Sequence, residues 1–233
     1  MHKQIYSHIK RVVGSTSLSV LLLIILFISC LIGLYALVDM VFEDNSYVFD
    51  KAVFAGIAPW YNSFNTSLMQ GITFFGSQYF LLPANILLIL IVFFKEKNKW
   101  NWIKVAAIGI SSTAVMFLLK LILQRQRPEV PLIVKAHGYS FPSGHTFTSL
   151  CFFGMLIYIV YKKIQQPFIK WLLIALMIML VLLIGFSRIY LKLHYASDVI
   201  AGLCLGTIWL LLAKWLLFKT EKKIESTHVT SKL

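Results

Sequence analysis

The chain has 233 residues, of which 59% are hydrophobic and 13% are charged. This composition is too apolar for an ordinary soluble domain and indicates an integral membrane protein. The formal net charge is +13, but the basic residues are dispersed between apolar segments, which argues against a nucleic-acid-binding domain.

Several apolar segments are long enough to cross a bilayer as helices. We place six spans at residues 18–38, 68–94, 105–123, 146–161, 171–186 and 199–218. The sequence therefore predicts an all-α fold, a six-helix transmembrane bundle forming one domain over residues 18–218. Residues 1–17 and 219–233 are predicted to be cytoplasmic, and the polar tail from residue 221 onwards is expected to be disordered. Pro83 is expected to kink the second span.

The charges of the connections predict the orientation, because Lys and Arg favour the cytoplasmic side. The basic N-terminus, the basic loops after the second and fourth spans and the basic tail predict that both termini are cytoplasmic. The connection after the first span instead contains Asp39, Glu43, Asp44 and Asp50, as expected outside the cell. Residues 52–65 are too short and mixed to span, and are predicted to lie along the outer surface.

Two outer connections are basic, against this rule. They carry Lys120, Arg125, Arg127 and Lys135, and Arg188 and Lys192. A regularly bound anion would explain cations that face the outer leaflet. Snorkelling of long side chains at helix ends is the alternative.

The first of these strings joins Lys120 to Arg127 and Pro128. The two cations are seven residues apart, so on a continuous helix they would share one face at the outer end of the third span. Arg127 offers a planar fork and Lys120 a point charge, a combination that suits a phosphate group. Arg125 is expected to point elsewhere, toward a headgroup or an interface.

A second string, Pro142, Ser143, Gly144 and His145, opens the fourth span. Ser143 is a candidate N-cap, and the free backbone N–H groups of a helix N-terminus bind anions. Gly144 allows close approach of the backbone, and His145 is placed to donate a proton to a leaving group. Taken alone, this string would more often be a capping turn with an interfacial histidine.

The third string runs from Ser187 and Arg188 to His194 and Asp198. If Asp198 continues the helix that contains His194, the two residues share a face and the carboxylate can accept a bond from one imidazole nitrogen. The other nitrogen is then an unprotonated nucleophile. Arg188 would supply a second guanidinium for the same phosphate. A structural His–Asp pair that caps the sixth helix is the alternative.

Together these three strings resemble the complete three-part signature of the type 2 phosphatidic acid phosphatase (PAP2) family. The resemblance covers residues 65–215 and is greatest to small bacterial phosphatidylglycerophosphatase B-like and undecaprenyl-diphosphatase-like members. It implies a core like that of acid phosphatases and vanadium haloperoxidases, an active site at the outer leaflet, and no metal or other cofactor.

The resemblance also implies the role of each site residue. His194 would form a phosphohistidine, Asp198 would orient it, and His145 would protonate the departing oxygen and later activate water. The phosphoryl oxygens would be held by Lys120, Arg127, Ser143, Gly144 and Arg188. Two histidines in different protonation states predict a bell-shaped dependence of rate on pH.

The expected function is hydrolysis of a lipid phosphomonoester or diphosphate at the cell membrane. Phosphatidylglycerol phosphate and undecaprenyl diphosphate are the leading substrates, with phosphatidic acid third. The expected partners are the lipid substrate and the bilayer, with no nucleic acid and no obligate protein partner. A vanadate-dependent haloperoxidase is disfavoured because those relatives are soluble. A non-catalytic lipid-phosphate binder or flippase is the alternative from another class.

Overall fold

The computed structural model describes residues 18–43, 47–134 and 137–230. The predicted N-terminal segment 1–17, together with Asp44 and Lys135, lies outside these ranges. Within them all regular secondary structure is helical, and six helical segments are long and apolar enough to cross a membrane. The predicted all-α, six-helix membrane fold is confirmed.

The helices are numbered here in chain order. They are α1 (Leu18–Val38), α2 (Val48–Ile57), α3 (Ser63–Phe74), α4 (Gln78–Lys95), α5 (Lys99–Leu123), α6 (Gly144–Lys163), α7 (Pro167–Tyr190) and α8 (Ala196–Thr230). Polar side chains begin several of them: Asn62 accepts a bond from the Asn65 amide, and Asn98 accepts one from the Trp100 amide. Such caps satisfy N–H groups that have no partner within the helix.

The second predicted span is built from two helices, α3 and α4, which are separated by a short turn around Gly76. Pro83, where a kink is predicted, lies inside α4. At the break the chain is packed closely against α6 and α7. A Cβ atom on Gly76 would lie 2.5 Å from Ile184 Cγ2 and 2.9 Å from Ser149 Oγ, so a larger residue would force the helices apart.

The final helix is longer than predicted. α8 continues to Thr230, so the disorder that was expected for residues 221–230 is not what the structure has. The chain contains no glycine or proline after Gly206, and therefore nothing in the backbone chemistry stops the helix at the end of its apolar part.

At the centre of the bundle lies α6, which contacts α5, α7 and α8. Its buried side chains include Phe147, Cys151 and Phe152. The outer helix α1 has no buried residue and exposes large apolar side chains such as Leu22 and Ile32, as expected for a helix that faces lipid. The central position of α6 brings its first turn close to the ends of α5, α7 and α8.

The C-terminal ends of α5 and α7 and the N-terminal ends of α6 and α8 meet at one end of the bundle. The Ser143 amide donates to the Asp198 carbonyl oxygen at 2.9 Å, which joins the starts of α6 and α8. Gly202 allows this approach, because a Cβ there would lie 2.9 Å from the Ser143 carbonyl oxygen. The topology thus brings all three sequence strings to one place.

Candidate active site

His194 and Asp198 form a buried pair, although not on one helix as the sequence predicted. α8 begins at Ala196, so His194 precedes it and Asp198 lies in its first turn. Asp198 Oδ2 accepts a hydrogen bond from the Tyr195 amide at 2.9 Å. In a capping box the side chain of the third helical residue reaches back to the amide of the N-cap residue in this way. His194 Nδ1 lies 3.4 Å from the same Oδ2 atom, and the two side chains are 1% and 0% exposed. The carboxylate favours the tautomer with a proton on Nδ1, which leaves Nε2 unprotonated.

Ser140 is a third member of this pair that the sequence did not indicate. Its hydroxyl donates a short hydrogen bond to Asp198 Oδ2 and lies 3.4 Å from His194 Nδ1. Its amide donates to the Arg125 carbonyl oxygen at 2.7 Å. Ser140 therefore fixes the carboxylate from the loop between α5 and α6.

Arg125 does not face a headgroup, as the sequence suggested, but is buried beside His194 and Asp198. Its Nη1 atom donates to Asp198 Oδ1 at 2.6 Å and to Ser197 Oγ at 2.7 Å. Its Nη2 atom donates to Asp50 Oδ2 at 2.8 Å, and its guanidinium carbon lies 4.1 Å from the centre of the Tyr195 ring. Arg125 thus bridges two buried carboxylates.

Asp50, which we counted among the surface charges of an outer connection, is instead fully buried on α2. Its oxygens accept the Ser197 amide at 2.9 Å and the Ser197 hydroxyl at 2.7 Å, as well as Arg125. Asp50 therefore ties α2 to the first turn of α8. Its signal in the sequence was weak, since one acid among several in an outer connection looks like an ordinary loop charge.

Arg127 and Lys120 reach the site without sharing a helix face. α5 ends at Leu123 and Gln124 adopts a left-handed conformation with φ of 44°, which turns the chain before Arg127. Arg127 Nη1 lies 3.2 Å from His194 Nε2 and donates to the Leu193 carbonyl oxygen at 2.7 Å. The predicted continuous helix from Lys120 to Arg127, stopped by Pro128, is wrong, because α5 ends at Leu123 and the turn at Gln124 redirects the chain.

Two neighbouring backbone carbonyl groups accept hydrogen bonds from Arg127 and Lys120. The Gly138 oxygen accepts Arg127 Nε at 2.9 Å, and the Tyr139 oxygen accepts Lys120 Nζ at 2.8 Å. Each cation therefore keeps donor hydrogens that these carbonyls do not use. The arrangement is suited to an anion that contacts both side chains.

Arg188 lies near the end of α7 and is 5% exposed. Its Nη1 atom donates to Thr73 Oγ1 at 2.9 Å on α3. Its Nε atom is buried and has no hydrogen-bond partner among the described residues. A buried donor without a partner is costly unless a ligand satisfies it, so Arg188 retains capacity to bind an anion.

His145 stands in the first turn of α6, which begins at Gly144. A Cβ on Gly144 would lie 3.6 Å from Lys120 Cε, so this turn adjoins the Lys120 side chain. At the cap of α6, Ser143 already uses its amide for Asp198, and its hydroxyl accepts Thr146 Oγ1 at 2.9 Å. A contact from Ser143 to a phosphate would therefore come from its hydroxyl proton and not from its backbone.

The electrostatics of the site set the protonation of His194. Burial, and then the neighbouring charges of Arg188, Arg127 and Lys120, lower the pKa of His194 well below its usual value of 6.5. The imidazole is therefore neutral at pH 7, as a nucleophile needs to be. Among the described residues, no group of three or more His, Cys, Asp or Glu side chains is placed to hold a metal ion. The cations are the electropositive element of this site.

Residues 101–222 match the model of the PAP2 superfamily. This chain belongs to the PAP2 superfamily. The matched segment runs from α5 into α8 and contains every site residue that the sequence predicted, whereas Asp50 lies outside it.

Two PAP2-related bacterial proteins are similar over most of their length. Phosphatidylglycerophosphatase B of Bacillus subtilis (strain 168) is 30% identical over 159 residues, which cover 67% of this chain and 75% of that protein. Undecaprenyl-diphosphatase BcrC of the same organism is 29% identical over 152 residues, which cover 63% of this chain and 74% of that protein. The predicted family is confirmed.

A solved structure supports the same conclusion at the level of the fold. The crystal structure of a transmembrane PAP2-type phosphatidylglycerolphosphate phosphatase from Bacillus subtilis superposes with a TM-score of 0.74 at 26% sequence identity. The superposition covers 83% of this chain and 96% of that chain. Because the matched family segment is 122 of the 233 residues, the shared fold extends beyond that segment.

Proposed function

We propose that this PAP2 protein hydrolyses the phosphomonoester or diphosphate group of a membrane lipid, with His194 as nucleophile. The observation that carries the proposal is the position of His194 Nε2. This atom is buried and lies 3.2 Å from Arg127 Nη1. The other ring nitrogen, Nδ1, is the one that faces the Asp198 carboxylate. A binding protein would need the cations alone, whereas this site also orients an unprotonated imidazole nitrogen.

The proposed reaction has two steps. His194 Nε2 forms a bond to phosphorus as the phosphorus–oxygen bond to the leaving group breaks, and His145 gives its proton to the departing oxygen. His145 then takes a proton from water, whose oxygen attacks the phosphohistidine and releases phosphate and free imidazole. Asp198 stabilises the positive charge on His194 during the first step.

Charge on the phosphoryl oxygens is stabilised by Lys120, Arg127 and Arg188, with the first turn of α6 at Ser143 and Gly144. Such pre-positioned donors in a largely dry site supply the greatest part of catalysis in phosphoryl transfer. The free donor on Arg188 and the paired carbonyl supports of Lys120 and Arg127 favour this assignment.

The sidedness of the site is also proposed. Lys95, Lys97, Lys162 and Lys170 lie at the ends of the helices away from His194. Because such residues favour the cytoplasm, the active site would face the extracytoplasmic side and both termini the cytoplasm. A lipid would then enter sideways from the outer leaflet, since short connections offer little surface to a large soluble ester.

A phosphate-release assay with purified, detergent-solubilised protein tests the proposal. The panel contains phosphatidylglycerol phosphate, undecaprenyl diphosphate and phosphatidic acid, beside a water-soluble phosphate ester. We expect turnover of at least one lipid and far less of the soluble ester. Binding of these lipids without phosphate release would instead assign a non-catalytic binder or flippase. The names of the two relatives make the first two lipids the leading candidates.

Arg127→Lys is expected to lower kcat/KM by about 10² to 10³-fold, the usual cost of one lost oxyanion donor. Three contacts of Arg127, to Gly138, Leu193 and His194, use two different nitrogens of one planar group. One ammonium cannot make them together and still face a phosphate. Kinetics on the preferred lipid would measure the effect, with Arg11→Lys in the amino-terminal segment as a matched control. Activity within about threefold of wild type would contradict the role given to the guanidinium.

The pH dependence follows from the lowered pKa of His194. Because the neutral imidazole attacks, the acid limb of kcat/KM is expected below pH 6.5, where His194 becomes protonated. Removing a neighbouring positive charge makes protonation easier, so Arg127→Met should raise the pKa of His194. NMR titration of labelled histidine would measure this shift, and Lys192→Met serves as control. A lowered or unchanged pKa in Arg127→Met would contradict the proposed electrostatics.

A further inference from the structure

A cavity of about 730 Å³ lies at the end of the bundle away from the active site. It is bounded by the end of α4, the start of α5, the end of α6, the start of α7 and the later part of α8. Along α6, its lining residue Lys162 is 17 residues beyond His145, which corresponds to about 26 Å at 1.5 Å per residue. The cavity is therefore separate from the catalytic groups.

The body of this cavity is apolar. It is formed by side chains such as Val105, Ile108, Met155, Ile174 and Leu211. Its volume falls within the range of roughly 300–1,000 Å³ that is common for small-ligand sites. Since its walls come from five helices and offer few polar groups, a hydrocarbon chain is the ligand part that fits them.

The rim of the cavity is cationic. Lys104, Lys162, Lys163 and Lys214 line it beside a single acid, Glu96, so four positive charges and one negative charge leave a net +3. Glu96 Oε1 is already paired with Lys163 Nζ at 2.5 Å. Lys104 lies near the start of the span Lys99–Leu123 and Lys214 near the end of the span Ala196–Leu217, so both line the apolar space close to one membrane surface. Cations at this depth favour an anionic partner.

Aromatic residues mark the level of the rim. Trp171 lines the cavity, and its ring lies 6.4 Å from the ring of Tyr161, which lines it as well. Tyrosine and tryptophan concentrate where lipid headgroups meet hydrocarbon. The lysines are thus at the depth of lipid phosphates and the apolar body is at the depth of acyl chains.

We propose that this cavity binds an anionic phospholipid of the leaflet opposite the active site, with its phosphate at Lys104 and Lys214 and an acyl chain between the helices. Basic pockets between transmembrane helices recognise anionic headgroups in this way. The proposal assigns this cavity binding of the lipid and no reaction on it.

Native mass spectrometry of the delipidated full-length protein tests the proposal, with phosphatidylglycerol and phosphatidylcholine of the same acyl chains as probes. The double variant Lys104→Gln/Lys214→Gln is compared with Lys97→Gln/Lys99→Gln, which removes the same charge at the same end of the bundle outside the cavity. We expect at least tenfold weaker binding of phosphatidylglycerol to the first variant, binding like wild type for the second, and at least tenfold weaker binding of phosphatidylcholine to wild type.

Several results would overturn this inference. Equal binding by both variants, or an equal loss in both, would reduce the lysines to general surface charge. Equal affinity for phosphatidylcholine would leave a cavity without headgroup recognition, and displacement of phosphatidylglycerol by millimolar inorganic phosphate would indicate a site for a free anion. The phosphate-release assay is read separately on all these proteins, and since the lysines are remote from His194, failure here would leave the proposed reaction untouched.

Discussion

His194→Ala is expected to lower kcat by about 10⁴-fold or more, because loss of a nucleophile removes the covalent route and leaves only binding and charge stabilisation. The protein should still insert and fold, since the bonds from the His194 and Leu193 amides to the Arg188 carbonyl oxygen belong to the backbone. Steady-state phosphate release measures the loss, and rapid quenching with labelled lipid measures the intermediate. Wild type should carry an acid-labile, alkali-stable phosphoryl label that the variant lacks.

His137→Ala is the matched control for this experiment. His137 is an exposed histidine of the loop between α5 and α6, so its loss should change neither turnover nor labelling. Turnover of purified His194→Ala near that of wild type, or an undiminished label on it, would eliminate the phosphohistidine mechanism. Equal losses in both variants would point to damage to the loop and not to chemistry.

Asp50→Asn is expected to lower kcat by about 10²-fold with little change in KM, the size of effect that follows a misplacement of about 1 Å. Asp50 touches Arg125 and Ser197 and is proposed to position, through them, the Asp198 carboxylate that orients His194. The substrate is proposed to bind to Lys120, Arg127 and Arg188, so KM should change little. Kinetics on the preferred lipid would measure both constants. Asp39→Asn, an exposed acid just after α1, is the control.

A double-mutant cycle separates positioning from a general structural role. Because the effect of Asp50 is proposed to pass through Arg125, Asp50→Asn should cost little more in an Arg125→Lys background. Arg125→Lys is used in place of a neutral residue, since a buried carboxylate left without its partner costs about 3–5 kcal/mol of stability. Fully additive losses of kcat, or an unchanged kcat in Asp50→Asn, would contradict the positioning role.

The place where the candidate site residues meet was predictable from sequence because these residues are concentrated in short strings. Lys120, His145 and Arg188 fall at the ends of apolar spans, and the loop alternation brings those ends to one side of a bundle. The position of these residues at span ends, and the meeting of those ends on one side, can both be inferred without knowledge of side-chain packing. The helix ends themselves were less predictable. Gln124 adopts a left-handed conformation that no local sequence pattern indicates, and α8 begins two residues after His194.

Long-range pairing was the part that sequence reasoning could not supply. Asp50 and Arg125 are 75 residues apart, and Asp50 and Ser197 are 147 apart. Periodicity reports which face of a helix is apolar, but it does not report which distant acid meets which base. Asp50 was therefore counted as an outer-side charge and Arg125 as a headgroup contact, although each is the counter-ion of the other.

The ion pair between Arg125 and Asp50 limits which fragments or chimaeras of the protein can keep the site intact. The family-matched stretch, residues 101–222, contains every residue that we propose to act on the substrate, but not Asp50. Excising that stretch, or grafting it behind a foreign first helix, would leave Arg125 with one of its two acidic counter-charges and Ser197 without its buried acceptor. The signature segment is thus not expected to function when it is transferred alone, and chimaeras should include α2 with it.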